Sequence, residues 1–483
     1  MSARGDWTEL VGAVLVGTDR RPVRTGGDDL LAEAAEAALE RYAGWLPPPA
    51  GGQPPDPAPE DPRPRVPDAA GRRLRRMLAG EHDELLPEWL AVARGTGRRA
   101  PEEDLPDLLD HGRAHPTRRT AVAELAGPRG RWLAGLNPRW RYAAEVADPD
   151  GDEPVEESWR LGSRTQRAAL LVALRGRDPA AARDLLASTW STETAEDRAA
   201  FLQALATGLS AADEEFCEAA LDDRGRQVRE VAADLLARLP DSALAGRMAE
   251  RAQARVRRDG RRLAVILPTE CDEAMRRDGV LPNPRIGTGE RAWWLEQIVA
   301  ATPLDRWPAA LGQPLERLVT LRAPDDLHEV VRRGWVRAAV RQGRVDWAYA
   351  LLGVRPEPDL LAVLPHDECC SYVAGQLDRH GFTSDNMALL PRCPDRWTTG
   401  LGRAFLAAVE RDVTRAADRP FWLGHVVAGA RLALPLELAA DAERLAHAVP
   451  GGTPAAAACA ELAEVVEFRA QMHQELEERQ ETR

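Results

Sequence analysis

Residues 178–242 read DPAAARDLLASTWSTETAEDRAAFLQALATGLSAADEEFCEAALDDRGRQVREVAADLLARLPDS, and this stretch decides the fold class. Asp178-Pro179 is a helix start: the Asp side chain can accept from free backbone N–H groups, and Pro sits where no N–H is needed. Ala182, Leu185, Leu186 and Trp190 then share one helical face. Thr194 with Asp197 opens a second helix, which carries Phe201, Leu202, Leu205 and Leu209. Ser210 with Asp213 opens a third, with Phe216, Cys217, Ala220 and Leu221. Asp222-Asp223-Arg224-Gly225 makes a turn, and Val228, Val231, Ala232, Leu235, Leu236 and Leu239 form a fourth face that Pro240 ends. Ser242 begins a fifth helix.

The start signals Asp178, Ser210 and Ser242 are 32 residues apart, and each interval holds two helices. A single pair cannot bury its apolar face, so neighbouring pairs must stack into a continuous core. The expectation is all-α: an α-solenoid of stacked antiparallel helix pairs. Asp222-Asp223-Arg224, Val228-Arg229, Ala232-Ala233 and Leu235-Leu236 resemble the HEAT-like repeat, in which an acidic turn precedes Val-Arg and small residues let helices approach closely. The wider chain resembles an uncharacterised bacterial family of predicted helical-repeat proteins. The resemblance rests on Trp7, Leu10 and Val16-Gly17-Thr18-Asp19-Arg20-Arg21-Pro22, on Gly130-Arg131-Trp132-Leu133-Ala134 with Asn137-Pro138 and Trp140, and on Gly289-Glu290-Arg291-Ala292-Trp293-Trp294-Leu295. It implies genes beside an AAA-type ATPase and a von Willebrand A-type protein, hence an assembly role with such a partner.

Outward from the repeat region, residues 1–46 form a short N-terminal helical segment. Residues 47–67, PPPAGGQPPDPAPEDPRPRVP, are a Pro-rich linker that cannot enter a helix or a sheet interior. Residues 68–260 make a first helical-repeat section. Residues 261–290, rich in Pro and Gly, read as an irregular insertion, a place where function often resides. Within it only Leu263–Leu267 reads as a strand. Residues 291–483 form a second repeat section with a C-terminal capping helix.

Composition narrows the function classes. The 64 basic residues are all Arg, against 77 Asp and Glu, for a net charge of −13. With no lysine, the chain lacks the P-loop lysine, Schiff-base chemistry and the Ser-x-x-Lys nucleophile. The acidic balance argues against a protein coated in positive charge for nucleic acid and leaves room for a local patch. The start carries no signal-peptide pattern, no run approaches a membrane span, and six Cys without CxxC spacing fit a reducing cytoplasm.

No motif reaches the standard of a catalytic, cofactor or metal site. Gly287-Thr288-Gly289-Glu290-Arg291-Ala292 lacks the preceding strand of a dinucleotide fingerprint. Leu327-His328-Glu329-Val330-Val331-Arg332 has Arg where a zincin needs its second His. His366, Cys369, Cys370, His380 and Cys393 lack zinc-ligand spacing, and the cysteines read as buried small apolar side chains. The sharpest charge feature is a helix expected over 243–262, where Arg247, Arg251, Arg255, Arg258 and Arg262 share a face. Among fourteen Trp, the adjacent Trp293 and Trp294 point about 100° apart on a helix, so one is expected outside the core as an anchor. The expectation is a non-catalytic scaffold that binds a protein partner through Arg247, Arg251, Arg255, Arg258, Arg262, Arg291, Trp293 and Trp294. The alternative is a nucleic-acid-binding helical-repeat protein of the base-excising kind that uses the same arginine stripe.

Overall fold

The computed structural model describes residues 7–16, a few positions between 32 and 39, and residues 55–145, 155–284, 289–415, 422–449 and 451–477. It divides the chain into two units, 1–60 and 61–483. In the first unit the apolar run forms the helix Trp7–Val16, with Val14 and Leu15 exposed. The second unit is all-α among the described residues, apart from one two-stranded hairpin and two isolated bridges.

The start signals act as read. The Asp178 carboxylate accepts from the Ala181 N–H at 3.0 Å, Thr194 caps Ala195–Ala204, and Ser242 accepts from the Ala245 N–H at 3.2 Å. Ser210 and Asp213 form a capping box over a short 3-10 turn that leads into Glu214–Ala220. The faces match too: Ala182, Leu186, Phe201, Leu202, Leu205, Cys217, Val228, Ala232, Leu235 and Leu236 are buried, while Leu185 and Trp190 are half-buried. Packing runs between near neighbours along the chain. Arg164–Arg175 lies on Ala195–Ala204, which lies on Arg226–Leu236; Ala243–Arg255 lies on Glu290–Ala300, and Glu290–Ala300 on Leu327–Gln342. His366–His380 lies on Thr399–Arg415, and Ala439–Ala448 on Pro454–Glu477.

One expectation is corrected here. The arginine helix does not reach residue 262. It ends at Arg255, and the chain turns into an antiparallel hairpin of Val256–Asp259 and Arg262–Val265. Gly260-Arg261 is the two-residue loop, and Gly260 supplies the positive φ (57°) that its first position needs. Val256 and Leu263 are buried on one side of the ribbon, so the period here is two and not 3.6.

Two apolar cores occupy the second unit. One runs from Trp159 to Val466; the other gathers Val66, Leu74, Trp89, Leu109 and Val122 around Val465, Phe468, Met472 and Leu476. The Pro454–Glu477 helix thus contributes to both cores. It touches Asp68–Leu78 and Leu86–Gly95 as well as Trp422–Ala430 and Ala439–Ala448. Its early residues Cys459 and Leu462 serve the first core and its later ones the second. Arg73 reaches both oxygens of Glu475 at 2.7 Å and lies over the Phe468 ring at 4.2 Å. Arg469 forks onto Glu88 at 2.8 and 3.2 Å, and His473 meets the same carboxylate at 2.9 Å.

Arginine also finishes helix ends in trans. The last carbonyls of a helix have no partner within it and carry the negative end of its dipole. Arg175, with its side chain fully buried, donates to the carbonyls of Leu205, Thr207 and Gly208 just past Ala195–Ala204 and forks onto buried Asp213 at 2.9–3.0 Å. Arg341 donates to the Ala300 carbonyl at 2.8 Å and Arg411 to the Leu377 carbonyl at 2.9 Å. Arg469 donates to the carbonyls of Arg431 and Leu434 at 3.1 and 2.9 Å. A guanidinium has enough N–H groups to serve carbonyls and a carboxylate at once, which an ammonium cannot do in one plane.

Asp213→Ala leaves the Arg175 guanidinium buried without its counter-charge, so we expect a loss of about 3–5 kcal/mol in urea unfolding; a loss below about 1 kcal/mol contradicts the clamp. Burial acts to raise the Glu88 carboxyl, but hydrogen bonds from His473 and Arg469 overcome it and hold the group at about 2. A depressed carboxyl contributes stability above its ordinary value of about 4.5, and that contribution fades as pH falls toward 2. Glu88→Gln should therefore lower the urea midpoint at neutral pH and flatten its fall across this window. Parallel pH profiles for the two proteins would show the assignment to be wrong.

Candidate interaction surface

The residues expected to form a recognition surface separate into four groups. Arg247 and Arg251 are spoken for inside the chain: Arg247 holds Asp278 at 2.7 Å and Glu218 at 2.8 Å, and Arg251 holds Asp278 at 2.5 Å. Burial acts to raise the Asp278 carboxyl, but these two guanidiniums hold it below the usual carboxylate range. Arg291 fastens the preceding segment by donating to the carbonyls of Pro268 and Leu267 at 2.6 and 3.0 Å. Arg255, Arg258 and Arg262 belong to the hairpin and its root, and Arg258 and Arg262 are exposed there.

The tryptophan expectation is also corrected: both rings are inside. Trp293 and Trp294 retain 3% and 6% of their surface. Trp294 donates from its indole N–H to the Pro282 carbonyl at 2.9 Å, and Arg337 lies 5.2 Å from the Trp293 ring centre. The adjacent rings point into different neighbours, because Glu290–Ala300 is packed by Ala243–Arg255 and Leu327–Gln342 and covered by residues 281–282. Of the GxGxxA stretch, positions 287 and 288 lie outside the described residues.

The structure shows a surface that these readings missed. An open groove of about 600 Å³ lies between Arg226–Leu236, Leu327–Gln342 and the segments around 358–362 and 391–392. Val336, Val340, Pro358, Ala362 and Pro391 give it an apolar lining, and Val340 is 38% exposed. Arg238, Arg337, Arg341 and Arg392 line it beside Asp234 and Asp359. Asp234 accepts from Arg238 at 2.6 Å and Arg341 at 3.0 Å; burial acts to raise its carboxyl, and the two arginines bring it below the ordinary range. Arg333, Arg337 and Arg341 recur every fourth residue and share a ridge of their helix. That spacing is the same signal that singled out Arg247, Arg251 and Arg255, and it could have been read from the sequence.

Several other groups of chemical interest are engaged within the chain. Two adjoining clefts, about 710 and 530 Å³, share Glu88, Arg396, Trp397 and Arg469. Glu88 there is held ionised by Arg469 and His473. Arg332, in the zincin-like stretch, is buried between Glu329 at 3.0 Å and Glu357 at 2.5 Å. Cys369 and Cys370 are buried; a hydrogen bond from Cys393 lowers the Cys369 thiol, and burial raises Cys370. Among the described residues no group of three or more His, Cys, Asp and Glu could hold a metal ion, and no helix is long and apolar enough to cross a membrane. Trp294→Ala should cost about 3–5 kcal/mol in thermal or urea unfolding, as deletion of a packed ring does; an unchanged midpoint would place that ring outside the core.

The comparisons with known proteins bear on the whole chain. No curated protein and no solved structure matches it. A protein family of unknown function (DUF5691) matches residues 9–476, which takes in both cores, the hairpin and the groove. The chain belongs to that family.

Proposed function

We propose that this protein is a non-catalytic adaptor, a HEAT-like array of antiparallel helix pairs that holds a protein partner on its surface. The observation that carries the reading is the groove around Val340. Helices from separate parts of the chain wall it, its lining mixes exposed aliphatic side chains with guanidiniums, and it is open to solvent. An apolar centre with Arg beside it fits interface cores, which are more apolar than the rest of the surface and are enriched in Arg among the charged residues. The matching occupant is an extended protein segment whose aliphatic side chains meet this lining and whose carboxylates displace Asp234, Glu296 and Asp359 from the guanidiniums they hold in the free chain. An AAA-type ATPase or a von Willebrand A-type protein is the first partner to test, and a bacterial cytoplasm is the setting that the composition and sparse cysteines favour.

The nucleic-acid alternative loses part of its footing. It relied on a continuous stripe, and two of the five arginines, Arg247 and Arg251, are neutralised by Asp278. What remains for it is the exposed hairpin.

A photo-crosslinking residue at Val340 tests the adaptor reading in host cells. Leu161, 68% exposed and not part of the groove, serves as the control position. We expect the Val340 probe to capture a protein that the Leu161 probe does not, and Arg337→Glu combined with the probe to abolish that capture. Identical captures from the two positions would remove the groove from the interface.

A further inference from the structure

We propose that the hairpin of Val256–Asp259 and Arg262–Val265 is a second docking site, one that takes an acidic segment of a protein. This surface is separate from the groove and stands on different residues. Arg257, Arg258, Arg261 and Arg262 are exposed within six consecutive positions, with Asp259 the single acid among them. Among the described residues none of these four guanidiniums is paired with a carboxylate, and Arg258 reaches the Gly260 carbonyl at 3.4 Å. The contrast is local and sharp: Arg247 and Arg251, on the helix that leads into the hairpin, are both locked onto Asp278.

The arginines stand on a fixed base. Val256 and Leu263 are each 1% exposed. The Leu263 N–H donates to the Arg322 carbonyl at 2.8 Å, and the Ile266 N–H donates to the Arg255 carbonyl at 2.8 Å, so the ribbon is tied at its root and along its side. The register puts Arg257 and Arg262 on the face turned away from Val256 and Leu263, with Arg261 in the turn beside them; like charges so placed repel one another, and a bound anion relieves that repulsion. The guanidinium fork fits a carboxylate or a phosphate equally well.

Two features favour an acidic protein segment over a nucleic acid. The first is reach. Strands of four residues span about 13 Å, the length of a short extended peptide. A duplex would run well past the patch onto the surface of a chain whose net charge is −13, and charges within about 8 Å are felt at physiological salt. The second is Ile266, which directly follows the second strand and is 63% exposed. An exposed aliphatic beside guanidiniums suits a segment that mixes carboxylates with apolar side chains.

The experiment measures fluorescence anisotropy of the full-length chain with two labelled probes, a glutamate-rich peptide of about 20 residues and a DNA duplex of about 20 base pairs, at roughly 50 and 150 mM salt. The hairpin variant carries Arg257, Arg258, Arg261 and Arg262→Gln. A charge-matched variant carries Arg131, Arg139, Arg177 and Arg224→Gln, four exposed arginines elsewhere in the second unit. The wild type and the charge-matched variant should bind the peptide, with the hairpin variant weaker by about tenfold or more. All three chains should melt at the same temperature, since the altered side chains are exposed. The proposal is overturned if the hairpin variant binds the peptide as well as the wild type does, if the wild type does not bind it at the lower salt, or if the duplex binds more tightly than the peptide at 150 mM. The last result reassigns the surface to phosphate backbone.

Discussion

The structure depends on the guanidinium that is buried at the end of a neighbouring helix. Short helices packed in series leave many chain ends inside, and each end exposes carbonyls that water cannot reach. Arg175 answers the carbonyls beyond Ala195–Ala204 and is itself neutralised by Asp213. Arg341 with Asp234, and Arg469 with Glu88, repeat the arrangement at other joints. Each of these side chains joins polar ends that apolar packing cannot satisfy. At these joints a planar fork is needed, and the point charge of a lysine would leave acceptors unmet.

The same device closes the second unit. The Pro454–Glu477 helix is shared between two cores, and its polar side chains are matched to the first helices of that unit: Glu475 to Arg73, and Arg469 and His473 to Glu88. The shared helix leaves neither core with an apolar wall facing water at this joint. Its mixed pattern of small, aliphatic and charged residues follows from that double duty, because more than one face of the helix is covered.

Much of this is legible in the amino-acid sequence. The caps at Asp178, Thr194, Ser210 and Ser242 and the apolar faces between them follow from local rules, and local rules hold where sequence-near helices pack. The surfaces were harder to read. Arg247 and Arg251 look free in the sequence because their neutraliser, Asp278, comes from a proline-rich stretch with no periodicity to place it. Trp293 and Trp294 look as though one must face water only if a helix has a single covered face, and theirs is covered on several sides. The hairpin was half visible: Leu263–Leu267 carries the strand signal, but the arginine spacing extends a helical face to Arg262 and hides the turn at Gly260-Arg261. The groove at Val340 is assembled from segments more than a hundred residues apart, so no window of sequence contains it, although the recurrence of Arg333, Arg337 and Arg341 pointed toward one of its walls.

The shared helix also sets a schedule for synthesis. Glu475 is made 402 residues after its partner Arg73, an interval of roughly 20–80 s at ordinary translation speeds. Throughout that interval the early core around Leu74, Trp89 and Leu109 lacks the wall that Phe468, Met472 and Leu476 supply. A ribosome that stops early releases a chain with that oily cleft open to chaperones and proteases. The solubility of the early core thus waits on one late helix.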